Sequence, residues 1–235
     1  MSLTVIIPAL NEAEHIQACI TALRDKDSIG MVDEIIVVDG GSQDDTIPLA
    51  QEAGATVLRS DRSGRALQMN LGAQHASSEV LLFVHADTIV PEGFSTSIRE
   101  AIQAHYPSGC FRLSFGHPSP VLRFYAWLTR FKMDIMRYGD QGLYIQKSLF
   151  TQVGGFREDH RVLEDNELTR RIRRSGISFM VLKEAAITSP RRYLEQGTIR
   201  LQLIFSTIYL MWRLGFSQDK MISFYRKKVR IRVPE

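Results

Sequence analysis

Four short runs in the first part of the chain are apolar almost without interruption: Leu3 to Ile7, Ile35 to Val38, Thr56 to Leu58 and Val80 to Val84. Strands covered on both faces read as such runs, because neither face meets water. Between them the pattern turns helical, with Ile16, Ile20 and Leu23 on one face. Asn11 followed by Glu14 predicts a capping box at the start of that helix. A second helix is entered through Asp44 and Asp45, with Pro48 tolerable in its first turn, and a third is predicted over 64–76. Strands are expected over 34–39 and 79–84. Strand and helix in alternation predict a doubly wound α/β fold: a mixed, mainly parallel sheet with helices on both faces.

After about residue 107 the rhythm changes. Cys110 to Phe115 reads as a strand, Pro120 to Arg137 as an amphipathic helix, and Leu143 to Gln146 as a short strand. Gly154-Gly155-Phe156 precedes a helix from about Asp165 to Ser175, with acids first, arginines last and Gly176 as its stop. The last forty residues read as mostly helical. The parse is one domain over 1–195, with a basic helical extension, 196–235, packed on it.

At 235 residues and a formal charge of +3, the chain has room for a large core and no overall pull toward nucleic acid. Basic residues cluster locally, at Arg226, Lys227, Lys228, Arg230 and Arg232, and at Arg170, Arg171, Arg173 and Arg174. Such clusters are either solvated faces or contacts for phosphate or acidic lipid. Cys19 and Cys110 have neither metal-ligand spacing nor a disulfide framework, which suits a reducing compartment. The N-terminus lacks a basic stretch before its apolar run, and Pro8 cuts that run short. Leu201 to Phe216 is broken by Gln202 and Arg213 and is shorter than the roughly 20 residues that span a bilayer. A cytoplasmic protein is expected, soluble or peripheral on the inner face of the cell membrane.

The candidate chemistry lies where strands end, since ligands of open α/β sheets sit beyond the carboxyl ends of strands. One run closes in His85-Ala86-Asp87, and both side chains suit Mn²⁺ or Mg²⁺. Another closes in Asp39, followed by Gly40, where backbone can approach a ligand closely. Pro8, Ala9, Leu10, Asn11 and Glu12 join the first strand to its helix, whose N-terminal N–H groups suit an anion or a base carbonyl. Arg65 can reach a diphosphate, and Asn70 can brace neighbouring loops. Asp140 and Gln141 lie in a polar turn suited to a substrate. Glu164 and Asp165 open the arginine-rich helix, where Asp165 reads equally as an N-cap or as a general base.

In this order, Pro-Ala-Leu-Asn-Glu, Val-Val-Asp-Gly-Gly-Ser, Arg-x-x-x-x-Asn, His-Ala-Asp, Gly-Gly-Phe and Glu-Asp, the motifs resemble those of the family 2 glycosyltransferases over about residues 3–190. The His-Ala-Asp variant and Tyr138-Gly139-Asp140-Gln141-Gly142 look more narrowly like a small bacterial subgroup labelled arsenosugar-biosynthesis or radical-SAM-associated glycosyltransferase. The resemblance implies a GT-A fold. It also implies a nucleotide-sugar donor, most often of uridine, held by Pro8 to Glu12, Asp39, Gly40, Arg65, His85 and Ala86. Asp87, with His85 in place of the family's first aspartate, is implied to contact Mn²⁺ or Mg²⁺. Asp165 is implied to be the catalytic base, with Asp140, Gln141 and Glu164 on the acceptor side. The implied reaction is metal-dependent, inverting transfer to an acceptor hydroxyl.

Two other readings stay open: a non-catalytic nucleotide-sugar binding module, and a sugar nucleotidyltransferase. The second would need a glycine-rich, lysine-containing first loop, which Pro8 to Glu12 is not. Segments 120–137 and 198–216 mix apolar positions with Arg123, Arg130, Lys132, Arg137 and Arg213. They read either as core-packing helices or as a surface for a lipid-linked acceptor or an anionic membrane. The apolar C-terminal helix is also a candidate homodimer contact.

Overall fold

The computed structural model describes residues 1–137 and 139–229; Tyr138 and the tail residues Arg230, Ile231 and Arg232 lie outside the described residues. The first half runs β1 (Leu3–Ala9), α1 (Ile16–Asp25), β2 (Val32–Asp39), α2 (Thr46–Glu52), β3 (Thr56–Arg59), α3 (Arg65–His75), β4 (Val80–Phe83), β5 (Thr88–Ile89) and α4 (Phe94–Gln103). The second runs β6 (Ser108–Ser114), α5 (Pro120–Leu128), β7 (Leu143–Gln146), α6 (Lys147–Gln152), α7 (Glu164–Arg174) and β8 (Phe179–Thr188). Three helices follow: α8 (Arg191–Gln196), α9 (Thr198–Arg213) and α10 (Gln218–Lys228).

The strands form one eight-stranded sheet in the order β3-β2-β1-β4-β7-β6-β8-β5. β1 to β4 are parallel, whereas β7 is antiparallel to both β4 and β6, and β8 is parallel to β6. The carboxyl ends of β1, β2, β4, β6 and β8 therefore share one edge with the amino end of β7. That edge collects the loops named above.

Alternation along the strands feeds two cores. Val5 and Ile7 of β1, Ile35 and Val37 of β2, and Leu82 of β4 pack with Ile16, Ile20 and Leu23 of α1 and Phe94 and Ile98 of α4. On the other face Ile6, Ile36, Val38, Leu81 and Phe83 pack with Met69 and Ala73 of α3 and with Leu168 and Ile172 of α7. A separate cluster of Ile204, Ile208 and Met221 joins α9 to α10, with Val162 and Leu163 packed against it.

Several expectations are corrected. The capping box does not form: α1 begins at Ile16 without a side-chain cap. Asn11, at φ 54°, instead accepts from the Gln43 N–H at 2.8 Å and bonds Ser42 Oγ through its own N–H at 2.9 Å. The next two N–H groups donate to Thr46 Oγ1 and Asp44 Oδ2, so they are spent on joining two loops. The helix expected to reach Arg137 ends at Leu128. Thr129 Oγ1 donates to the Ala126 carbonyl at 2.6 Å and accepts from Leu113 N–H at 3.0 Å. Buried Arg137 then donates to the carbonyls of Thr129 (2.6 Å) and Phe131 (2.5 Å), folding the chain back. Arg137 is thus a staple and no part of a basic surface. Of the arginine cluster, Arg171 pairs with Glu167 at 2.5 Å and Arg170 lies 5.2 Å from the Trp212 ring centre. β8 had no counterpart in the apolar pattern, since Lys183 and Glu184 interrupt it; α4 and β5 likewise were not foreseen.

Asn70 braces loops as expected. Its amide donates to Phe156 O and accepts from Phe156 N–H, both at 2.9 Å, which fixes the Gly154-Gly155 turn.

Gly72 of α3 faces β1 so closely that an added Cβ would lie 2.5 Å from Ile6 Cγ2 and 3.2 Å from Val38 Cγ2. An exposed helical Gly→Ala gains about 0.5–1 kcal/mol, but overpacking a core costs about 1–3 kcal/mol, so the clash wins. Gly72→Ala is expected to destabilise the fold by about 1–2 kcal/mol in urea denaturation; a rise in the denaturation midpoint would show that α3 does not sit this close.

Candidate functional site

A cavity of about 510 Å³ opens at the shared edge. Of the residues singled out in the sequence, Pro8, Ala9, Leu10, Glu12, Arg65, His85, Ala86, Asp87, Asp140 and Asp165 line it. They come from β1, α3, the β4 end, the turn before β7 and the first turn of α7. Asn11, Asp39, Gly40, Gln141 and Glu164 do not line it.

Each of those five has a local reason. Asn11 sews the two loops together, as described. Asp39 is buried and turns its carboxylate into its own loop, accepting from Gly41 N–H at 2.9 Å and Ser42 N–H at 3.1 Å. Gly40 gives room to Gln68, whose Nε2 would be 3.0 Å from a Cβ there. Gln68, unnoticed in the sequence, donates to the carbonyls of Ala9 (2.9 Å) and Val38 (2.7 Å) and so ties the β1 and β2 ends to α3. Gln141 is fully buried. Glu164 is buried and forms an ion pair with Arg65 Nε of α3 at 2.7 Å.

The centre of the cavity is acidic with one imidazole. His85 Nδ1 bonds Asp140 Oδ1 at 2.6 Å. One donor atom each from His85, Asp87 and Asp140 lie within 4.8 Å of one another. The sequence places Asp140 on the acceptor side, whereas the antiparallel run of β7 beside β4 brings it into this cluster. His85 Nε2 is buried without a hydrogen-bond partner. One imidazole, with a buried nitrogen left without a partner, and two carboxylates are a donor set that fits Mn²⁺ or Mg²⁺.

Gly139 packs directly on the centre. A Cβ there would lie 2.4 Å from Asp165 Oδ2 and 2.6 Å from His85 Nε2, so these two groups face each other across a residue that has to be small. Leu163, at φ 61°, precedes α7, and Asp165 makes no capping bond. The capping role is therefore excluded.

Burial, then the neighbouring Glu164 charge, push the Asp165 carboxyl up to about 7, against the pull of Arg65 and His85. Burial disfavours the charged form of His85, but the hydrogen bond and charge of Asp140 outweigh it and hold the imidazole above its usual value. Burial likewise opposes ionised Asp140, and the contact with His85 overcomes it, leaving that carboxyl below its usual range. Glu12 is raised by burial and by the charge of Asp87.

The far side of the cavity was not foreseen. Ser189, Arg191, Arg192 and Tyr193 follow β8, and Phe205, Tyr209 and Tyr225 come from α9 and α10. Ser189-Pro190-Arg191-Arg192 had the form of a strand-end loop, but the strand before it was hidden by its charges.

Asp165 yields a stability prediction with a definite sign. Its folded carboxyl titrates near 7 against an ordinary 3.8, so the folded state holds a proton that the unfolded state has released between those values. Stability contributed by protonated Asp165 is present below about pH 4 and lost as pH rises through 7. Asp165→Asn is expected to match the native protein in thermal melting at pH 4 and to exceed it by several degrees at pH 8. Equal melting temperatures at pH 8 would mean that Asp165 ionises without penalty.

A family model described as "Glycosyl transferase family 2" matches residues 4–161. A PGL/p-HBAD biosynthesis glycosyltransferase of Mycobacterium bovis is 28% identical over 173 residues, 69% of this chain and 66% of that protein. The mannosyltransferase PcManGT from Pyrobaculum calidifontis, solved in complex with GDP-Man and Mn²⁺, has a TM-score of 0.69 at 17% identity, covering 94% of this chain and 68% of its own. Glucosyl-3-phosphoglycerate synthase from Mycobacterium tuberculosis, solved with Mn²⁺, UDP and glucosyl-3-phosphoglycerate, has a TM-score of 0.60 at 21% identity, covering 92% of this chain and 80% of its own. The chain spans between 30% and 66% of the length of the curated relatives that it matches first. The likeness to the solved structures establishes a GT-A-like fold.

Proposed function

Since the chain belongs to glycosyl transferase family 2, we propose that it transfers a sugar, with inversion, from a nucleoside-diphosphate sugar to an acceptor hydroxyl, with Asp165 as the base. The observation that carries this reading is the opposition, within one cavity, of the Asp165 carboxyl to the cluster of His85, Asp87 and Asp140. A carboxyl near 7 is ionised often enough at neutral pH to take a proton and basic enough to hold it.

The nucleotide lies along Pro8 to Glu12 and Arg65, with uridine as the first base to try. When bound by His85, Asp87 and Asp140, Mn²⁺ or Mg²⁺ supplies Lewis-acid stabilisation of the diphosphate. Arg65 lines the same cavity and adds positive charge near the leaving group. The acceptor oxygen forms its bond to the anomeric carbon as the bond from that carbon to the diphosphate oxygen breaks. The electron pair leaves with the nucleoside diphosphate, and the acceptor proton passes to Asp165. The narrower subgroup resemblance adds no donor or acceptor.

Association with a membrane surface is part of the same reading. Among the described residues no helix is long and apolar enough to cross a bilayer. Phe124, Trp127 and Phe131 of α5 and the turn after it are exposed, as are Ile199, Leu203 and Leu210 of α9. Arg130 stacks over Trp127 at 5.1 Å, and Arg123 and Lys132 lie beside them in the chain. This mixture suits anionic headgroups. Binding to phosphatidylserine vesicles at low salt is expected, and its weakening in a Trp127→Ser, Phe131→Ser variant; indifference of the native protein to such vesicles would remove the membrane from the proposal.

Calorimetric titration of UDP, and then GDP, with Mn²⁺ or with EDTA tests the donor half. Metal-dependent binding, abolished in Asp87→Ala, is expected. Asp165→Asn should retain that binding while donor turnover falls about 10²–10⁴-fold. Full turnover in that variant would take the role of base away from Asp165.

A further inference from the structure

Asp165 depends on the loop that delivers it. Residues 157–163 lead from the Gly154-Gly155 turn into α7, and Arg161, Val162 and Leu163 also line the cavity. Asn70 fixes the start of this loop through Phe156. Its end is harder to hold. Leu163, the last residue before α7, takes φ 61°, a left-handed conformation that a bulky L-residue adopts only under outside constraint. No side chain caps the helix that follows.

The constraint comes from α10. Gln218 is the first residue of that helix, and its Oε1 accepts from Arg161 N–H and from Val162 N–H, both at 3.1 Å. Its Nε2 donates to the Val162 carbonyl at 3.4 Å. Two N–H groups converge on one side-chain atom, which identifies that atom as the oxygen. Val162 and Leu163 also pack against Ile204, Ile208 and Met221 of α9 and α10, so apolar contact supports the same short stretch. The exposed ion pair of Arg161 with Asp219, at 3.3 Å, adds little to this.

We propose that Gln218 is a positioning residue for the reaction: it sets the turn at Leu163, and so the direction in which the first turn of α7 presents Asp165. The inference rests on the glycosyl-transfer reading above and adds to it a residue that never meets the substrate. Gln218 does not line the cavity, so it acts only through the loop. A base has to sit within hydrogen-bond reach of the proton it takes, and a misplacement of about 1 Å costs about 10²-fold in rate. The nucleotide side is built separately, since Pro8 to Glu12 and Asp87 follow β1 and β4 and belong to other loops. Loss of the brace therefore acts on the chemical step and leaves nucleotide binding alone.

Three variants of the full chain test this. Gln218→Met keeps the length of the side chain and removes its three hydrogen bonds. Gln218→Glu keeps an acceptor for both N–H groups, and a negative charge is favoured at the start of a helix. Asp219→Ala removes only the exposed ion pair. The measurements are hydrogen exchange at the Arg161 and Val162 amides, hydrolysis of UDP-glucose and of other UDP- and GDP-sugars, and calorimetric titration of UDP with Mn²⁺. Gln218→Met is expected to speed exchange at both amides and to lower kcat about 10–100-fold, with UDP affinity unchanged. Gln218→Glu should recover slow exchange and most of the rate, and Asp219→Ala should alter neither. Unchanged exchange in Gln218→Met overturns the proposal, and so does faster exchange with full kcat. UDP affinity that falls in step with kcat also overturns it, because Gln218 would then support the site as a whole. A native protein that hydrolyses no donor overturns the glycosyl-transfer reading, and the exchange rates alone then uphold or overturn Gln218 as the support of this loop.

Discussion

The hydrogen bond between His85 and Asp140 joins the two halves of the molecule where the chemistry lies. His85 follows β4 of the parallel half, and Asp140 precedes β7, the strand of the second half whose direction is reversed against β4. His85 is mostly withdrawn from water, where an ionisable side chain without a partner is strongly disfavoured, and Asp140, with its side chain 39% exposed, supplies that partner. Together they are tolerated, and Asp87 and Asp165 gather around them. The reversal of β7 is the constraint beneath this. Only an antiparallel strand next to β4 brings the start of one strand to the end of the other, and so sets residues fifty-five positions apart in contact.

Much of the parallel half was legible because continuous apolar runs, and the polar residues that end them, are local signals. Leu3 to Ile7 and Val80 to Val84 could hardly be anything but buried strands, and His85 and Asp87 follow from where such strands stop. Asn70 was readable as a brace. The second half was less legible for physical reasons. β8 is only partly buried along most of its length and carries Lys183 and Glu184, so it lacks the continuous apolar signature. Arg137 looked like a helix-surface cation, yet three-dimensional packing makes it a buried staple on two carbonyls. Asn11 has a good capping residue's chemistry, but its partners are thirty residues away and periodicity cannot find them. The place of Asp140 and the far side of the cavity, from Ser189 to Tyr225, depend on which elements meet, and no window of sequence contains that information.

The site also shows where stability is yielded to chemistry. Glu164 and Asp165 are adjacent carboxyls on a helix start that favours negative charge, yet both are buried. Arg65 neutralises the first through a 2.7 Å ion pair, which leaves the second to absorb the like-charge repulsion. A molecule selected for stability alone would place an amide there. The same division of labour gives Arg65, which also lines the cavity itself, a share with Glu164 in setting how readily Asp165 gives up a proton.

Gly72 shows how far the lack of a single methyl group extends. Residues four and seven positions earlier on α3 lie on nearly the same side of the helix, and these are Gln68 and Arg65. Because Gly72 lets the rod lie flat against Ile6, Gln68 arrives within reach of two strand-end carbonyls, and Arg65 arrives at Glu164. A helix does not absorb displacement along its length as a loop does. An ångström lost at residue 72 is therefore passed on, undamped, to the floor of the cavity and to its charge balance. Residue 72 is thus like a tolerance on a machined part: it sets the depth of a chamber from a point outside that chamber.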